Sequence, residues 1–125
     1  MPTGVEEAIA YAESLLPGVP APEGEQDDRW QAIIEVGEFI QSDPEAVWAF
    51  SVKWGTDECK DVRSAVATCL LEHLIENHFD TYFAPAFELA KRDERFRFTF
   101  RMCWVRPKHE RAFAEANAVL ADLPC

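Results

Sequence analysis

Cys69, His73 and Glu76 stand at i, i+4 and i+7, so one face of a helix would carry a thiol, an imidazole and a carboxylate. A Cys–His pair one turn apart has the spacing of a nucleophile and its base. Together with Glu72 or Glu76 the set also has the donor types of a metal site. Both readings meet a simpler one. Cys69 lies in the apolar run ATCLL, where a cysteine behaves as a small core residue. A metal would need donors from a second helix, and beyond His73 and His78 the only other histidine is His109. His78, at the expected end of that helix, suits the negative end of its dipole. No GxSxG, HExxH, CxxC pair or glycine-rich phosphate loop occurs. The sequence therefore calls for no metal, no cofactor and no catalytic residue.

A second group is the run from Arg95 to Arg106. Arg95, Arg97, Arg101 and Arg106 interleave with Phe96, Phe98 and Trp104, a pattern able to contact phosphates and stack bases. Against a nucleic-acid role stands the net charge of −11 over 125 residues. That charge is unevenly spread. Residues 1–90 hold 4 basic and 18 acidic side chains, whereas residues 91–111 hold 8 basic and 3 acidic. The acidic portion would steer association with a basic protein partner. Glu35, Glu38 and Glu45 are its chosen contacts, with Trp48 and Trp54 as hot-spot candidates. These tryptophans are six residues apart on a short helix, so they point to different sides and at least one is expected to be exposed. The opposed charges of the two portions also leave a head-to-tail homodimer open.

The elements that must position these groups read as helices throughout. Thr3-Gly4-Val5-Glu6 has capping-box spacing and opens an amphipathic helix to about Leu16. PGVPAPEG at 17–24 breaks it, so residues 1–16 read as an arm, 17–26 as a linker and 27–125 as the main domain. Further helices are expected from Asp27 or Asp28 to Gln41, over 44–54, from Lys60 to His78, over 80–91, 94–105 and 108–122. Ser42-Asp43-Pro44-Glu45 carries capping signals between the first two of these. The helix from Lys60 is apolar over more than half its circumference and should be central, with Leu70, Leu71, Leu74, Ile33 and Ile34 nearly fully buried. Phe96, Phe98, Phe100, Met102 and Trp104 alternate with polar residues as in a strand, but no other segment reads as a pairing partner. Helix is preferred there, with Phe96, Phe100 and Cys103 on one face and Phe98 and Met102 on another. No apolar run reaches membrane-spanning length, and MPTGVEEAIA lacks the basic start of a secretory signal. A cytoplasmic protein with reduced thiols is the expectation.

The chain also repeats. Asp27-Asp28-Arg29, Asp61-Val62-Arg63 and Asp93-Glu94-Arg95 open successive helices at spacings of 34 and 32. The acid would sit at the helix start and the arginine would reach an acid of the neighbouring unit. Asp57-Glu58-Cys59-Lys60-Asp61-Val62-Arg63-Ser64-Ala65-Val66-Ala67-Thr68-Cys69-Leu70 resembles the acidic turn, Val-Arg pair and small-and-apolar helix of HEAT-like and armadillo-like α-solenoid repeats. The likeness covers about residues 27–122. It departs from the family at Phe98 and Thr99, where small residues are usual. It implies an all-α fold, a short right-handed superhelix of about three helix pairs plus the N-terminal helix, with a curved surface. Such surfaces mostly bind proteins, and some HEAT-like proteins are DNA glycosylases. The resemblance thus implies a non-enzymatic interaction module, which the acidic charge of residues 1–90 makes concrete as an inhibitor or immunity-type protein for a basic partner; the alternative is a nucleic-acid-binding protein or DNA glycosylase-type enzyme using residues 91–111.

Overall fold

A computed structural model describes residues 4–123, and the fold is all-α, with helices packed on one another and no strand among the described residues. Helix α1 spans Val5–Leu15, α2 Asp28–Gly37, α3 Pro44–Gly55 and α4 Lys60–Val66. A π-helical stretch, Ala67–Leu71, joins α4 to α5, Glu72–Asn77. Then follow α6 Phe79–Arg92, α7 Glu94–Arg101 and α8 Pro107–Ala121. None of these is long and apolar enough to cross a membrane. Far-UV circular dichroism should accordingly show a strongly helical spectrum, and a β component assignable to residues 95–104 would contradict the fold.

The expected cap at Thr3 lies outside the described residues. Helix α1 is no detached arm. Ala8 and Ala12 are fully buried, and these small side chains let α1 lie against α2 and α3. At its far end Glu13 accepts hydrogen bonds from Trp54 Nε1 (2.9 Å) and the Lys53 ammonium (2.8 Å). The proline-rich connection is also held. Arg29 Nη1 donates to the Pro17 carbonyl at 2.7 Å, and Ala21 N–H donates to Asp27 at 3.1 Å. Gly18 has φ +56°, and a Cβ there would meet the Leu15 carbonyl oxygen at 2.7 Å and Arg29 Cδ at 2.8 Å, so the turn needs glycine.

Asp27 caps α2 by accepting from Arg29 N–H, and Asp93 caps α7 by accepting from Phe96 N–H. Asp61 does neither. It lies inside the first turn of α4, and its carboxylate receives the guanidinium of Arg29 and the indole N–H of Trp30. The expected capping box at 42–45 does not form, because Asp43 is the N-cap and makes no side-chain bond to the helix; Ser42 Oγ donates to its carboxylate instead.

The long helix from Lys60 is central as expected, and its middle is widened. Leu70 and Leu71 in the π turn, with Leu74 and Ile75 beyond it, are fully buried. Gly37, at the end of α2, approaches this turn closely enough that a Cβ would stand 3.2 Å from the Cys69 carbonyl oxygen and from Leu70 Cδ2. Ile33 is buried, but Ile34 is 45% exposed, contrary to expectation. Adjacent residues point about 100° apart on a helix, so the face that turns Ile33 inward turns Ile34 outward.

Residues 94–101 are helical, with Phe96 and Phe100 buried, Cys103 half-buried, and Phe98 and Met102 on a different side. The helix ends at Arg101, short of the expected 105, so Trp104 lies in the following extended segment. Pro85 sits inside α6 rather than in its first turn, where it removes the backbone donor that would reach Thr81. Phe79 and Phe83 stack at 4.7 Å along α6, and Phe100 of α7 stacks on Phe113 of α8 at 5.1 Å. These rings join α6, α7 and α8 into the second half of the core.

Candidate functional site

The two charged surfaces expected from sequence fare differently. On the acidic side, Glu38 and Glu45 are exposed and Glu35 is half-exposed. None of the three has a cation within ion-pair range among the described residues. Glu35 and Glu38 lie on and just after the last turn of α2, and Glu45 lies in the first turn of α3, so a short connection carries all three. Beside them Ile34, Gly37, Glu38, Ile40, Thr68, Cys69 and His73 line a groove of about 440 Å³. Its floor is apolar and Glu38 is its acidic wall.

The tryptophan assignment requires correction. Trp48 is half-buried against Tyr82 (5.4 Å between ring centres) and Phe96 (6.2 Å). Trp54 is half-buried with its N–H on Glu13. Neither is an exposed anchor. The exposed tryptophan is Trp104, 69% accessible, with its backbone N–H on the Glu72 carboxylate at 2.8 Å. Its exposure follows from the early end of α7, which hydropathy alone does not reveal.

The four arginines of the basic segment do not form one surface. Arg95 is exposed. Arg97 is buried, with Nε on the Ala90 carbonyl (3.0 Å) and Nη2 on the Lys91 carbonyl (3.1 Å), so it closes the C-terminal end of α6. Arg106 reaches Glu76 at 3.5 Å. Only Arg97 and Arg101 face a common cavity.

The Cys69, His73 and Glu76 set is not brought together as a reactive centre. Burial pushes the Cys69 thiol up, away from the thiolate that nucleophilic attack requires. Its nearest polar partner is Thr68 Oγ1 at 4.0 Å, while His73 faces Glu72 at 3.8 Å. Among the described residues no group of three His, Cys, Asp or Glu could hold a metal ion. His78 donates from Nε2 to the Ile40 carbonyl at 3.0 Å, tying the α5–α6 corner to the turn after α2.

What the sequence reading passed over is a set of buried arginines. Arg29, Arg63 and Arg97 are each about nine-tenths buried or more, at exposures of 5%, 8% and 9%, and they follow one another every 34 residues. The D-x-R alignment picked Arg95 as the third member and so missed the period. Arg29 pairs with Asp27 and Asp61. Among the described residues Arg63 has no carboxylate within ion-pair range and its Nε no acceptor; its Nη1 donates to the Arg95 carbonyl at 3.3 Å, and its guanidinium lies 4.6 Å above the Phe98 ring.

No known family, curated protein or solved structure matches this chain.

Proposed function

We propose that the chain is a non-enzymatic protein-interaction module that receives a basic protein partner on the surface around α2 and the start of α3. The observation that carries this reading is the groove holding Ile34. A large apolar side chain lies 45% exposed in an apolar groove walled by Glu38, and Glu35, Glu38 and Glu45 beside it have no cation partner among the described residues. An apolar centre bordered by charge is the usual anatomy of a protein interface. Three unpaired carboxylates are also what a basic partner would complement. The HEAT-like architecture belongs to the same reading. Supporting it are the 34-residue spacing of the buried arginines, the contact of Arg29 with Asp61 of the next unit, and that of Arg63 with the Arg95 carbonyl of the third. An inhibitor or immunity-type role against a basic enzyme is the concrete form of the proposal, in the cytoplasm.

A comparative pull-down tests it. The wild type and the triple variant Glu35→Lys, Glu38→Lys, Glu45→Lys are used as baits in native lysate, with Arg95→Glu, Arg101→Glu as a control. A basic protein retained by the wild type and the arginine variant, but lost by the glutamate variant, is the expected result. Loss with the arginine variant alone would transfer recognition to residues 91–111. Arg97→Glu is unsuitable as a probe, because it would place a carboxylate against the Ala90 and Lys91 carbonyls and report on folding.

A further inference from the structure

We infer that the cleft between α4 and α7 is a binding site for a small organic phosphate, a phosphomonoester carried on an apolar body. Lys60, Arg63, Glu94, Arg97, Phe98, Arg101 and Met102 line a cavity of about 480 Å³, within the usual size range of small-molecule sites. The first indication is Arg63. Buried charges are normally paired with an opposite charge, yet this guanidinium is 8% exposed and, among the described residues, meets no carboxylate and leaves Nε without an acceptor. Phe98 holds it flat from one side while Nη1 is anchored on the Arg95 carbonyl. A guanidinium fixed this way holds its positive charge at the cleft wall before an oxyanion arrives.

The charge count selects the class of anion. Arg97 is already engaged by backbone carbonyls. Those carbonyls occupy its donors but leave its charge, so Lys60, Arg63, Arg97 and Arg101 stand against the single carboxylate of Glu94. A dianion offsets most of that excess of positive charge, whereas a monocarboxylate offsets only a minor part. A phosphomonoester carries about −1.5 to −2 at pH 7 and offers three acceptor oxygens. The cleft is much larger than a phosphate group, and Phe98 and Met102 supply apolar wall for the rest of the ligand. Met102 is 40% exposed, and a thioether adapts to aromatic and aliphatic bodies alike. Nothing in this inference depends on the acidic surface around Glu38, which lies on different elements.

Isothermal titration with phenyl phosphate, inorganic phosphate and phenol tests the site. Phenyl phosphate should bind saturably, inorganic phosphate more weakly, and phenol not at all. Arg63→Gln should weaken phenyl phosphate binding by about tenfold or more, the effect of removing a hydrogen bond to a charged group. Lys60→Ala and Arg101→Ala remove exposed side chains and should each weaken binding in the same direction, so the test stands even where Arg63→Gln fails to fold. Glu94→Gln should tighten binding. Affinity should fall as pH drops below about 6, where the ligand loses its second charge. Unchanged affinity in Lys60→Ala and Arg101→Ala would overturn the site. Equal affinity for inorganic phosphate would overturn the part assigned to Phe98 and Met102. Saturable binding of a single-stranded oligonucleotide without binding of phenyl phosphate would overturn the proposal in favour of a nucleic-acid surface.

Discussion

Leu70→Ala should lower the unfolding free energy by about 2–5 kcal/mol, the range for truncating a leucine in a core that cannot collapse. Leu70 is fully buried in the π turn, and that turn meets α2, α3 and α7 at once. Gly37 approaches Leu70 Cδ2 so closely that no further movement of α2 is needed to pack it. Removing the isobutyl group leaves walls anchored on three different helices, so the cavity stays open and the loss falls toward the upper part of the range. Chemical denaturation with wild type and variant measures it. A loss below about 0.5 kcal/mol, the size of an ordinary surface substitution, would mean that the long helix is not the centre of the core.

Arg29→Met should cost a comparable amount, about 2–4 kcal/mol, since removing one partner of a buried ion pair strands the others. Arg29 Nη2 donates to both Asp27 and Asp61, and Nη1 holds the Pro17 carbonyl. Without the guanidinium, two carboxylates that converge on one nitrogen face each other, and the connection to α1 loses its tether. The estimate stays below the fully buried case because Asp61 is about one-third exposed. The pH dependence is the sharper readout. Arg29 holds the Asp27 carboxyl well below the usual carboxylate range, through hydrogen bonds to its oxygens. A carboxyl depressed in the folded state stabilises above its unfolded value near pH 4, and that stabilisation is lost as pH falls toward the folded value. In Arg29→Met the paired carboxylates repel, so protonation relieves strain and stability should rise as pH is lowered toward 4. The same acid limb in both proteins would show that the Arg29 network does not stabilise the fold.

The arginines also explain which parts of the structure were legible from sequence. In α2 the inward positions are Arg29, Ala32, Ile33 and Val36. A hydropathy pattern assigns arginine to solvent, so the expectation of burial falls on Ile34 beside Ile33, whereas the fourth inward position is Arg29. Arg97 hid the inward face of α7 in the same manner. Its guanidinium is buried because it satisfies two carbonyls at the end of α6, and no local pattern announces that. The apparent strand alternation of Phe96 to Trp104 arises because Phe98, Met102 and Trp104 are apolar residues outside the core, interleaved with the buried Phe96 and Phe100. Helix existence was readable because caps, prolines and glycines mark most boundaries. The π turn was not readable, because no local residue pattern in ATCLL separates it from an ordinary helical turn. The exposed glutamates were found from charge alone. The groove beside them and the Lys60–Arg63–Arg101 cleft were not, since both are made by residues from separate helices.

Association kinetics with the captured basic partner test the central claim most directly. The wild type should associate at a rate that falls steeply with added salt, because exposed charges are screened beyond about 8–10 Å at physiological ionic strength. Glu35→Lys, Glu38→Lys, Glu45→Lys should slow association more than it speeds dissociation, as rim charges act mainly on the on-rate. Ile34→Ala should act the other way, on dissociation, as loss of an apolar anchor does. Association and dissociation rates unchanged by all four substitutions would contradict the claim that this face is the binding surface.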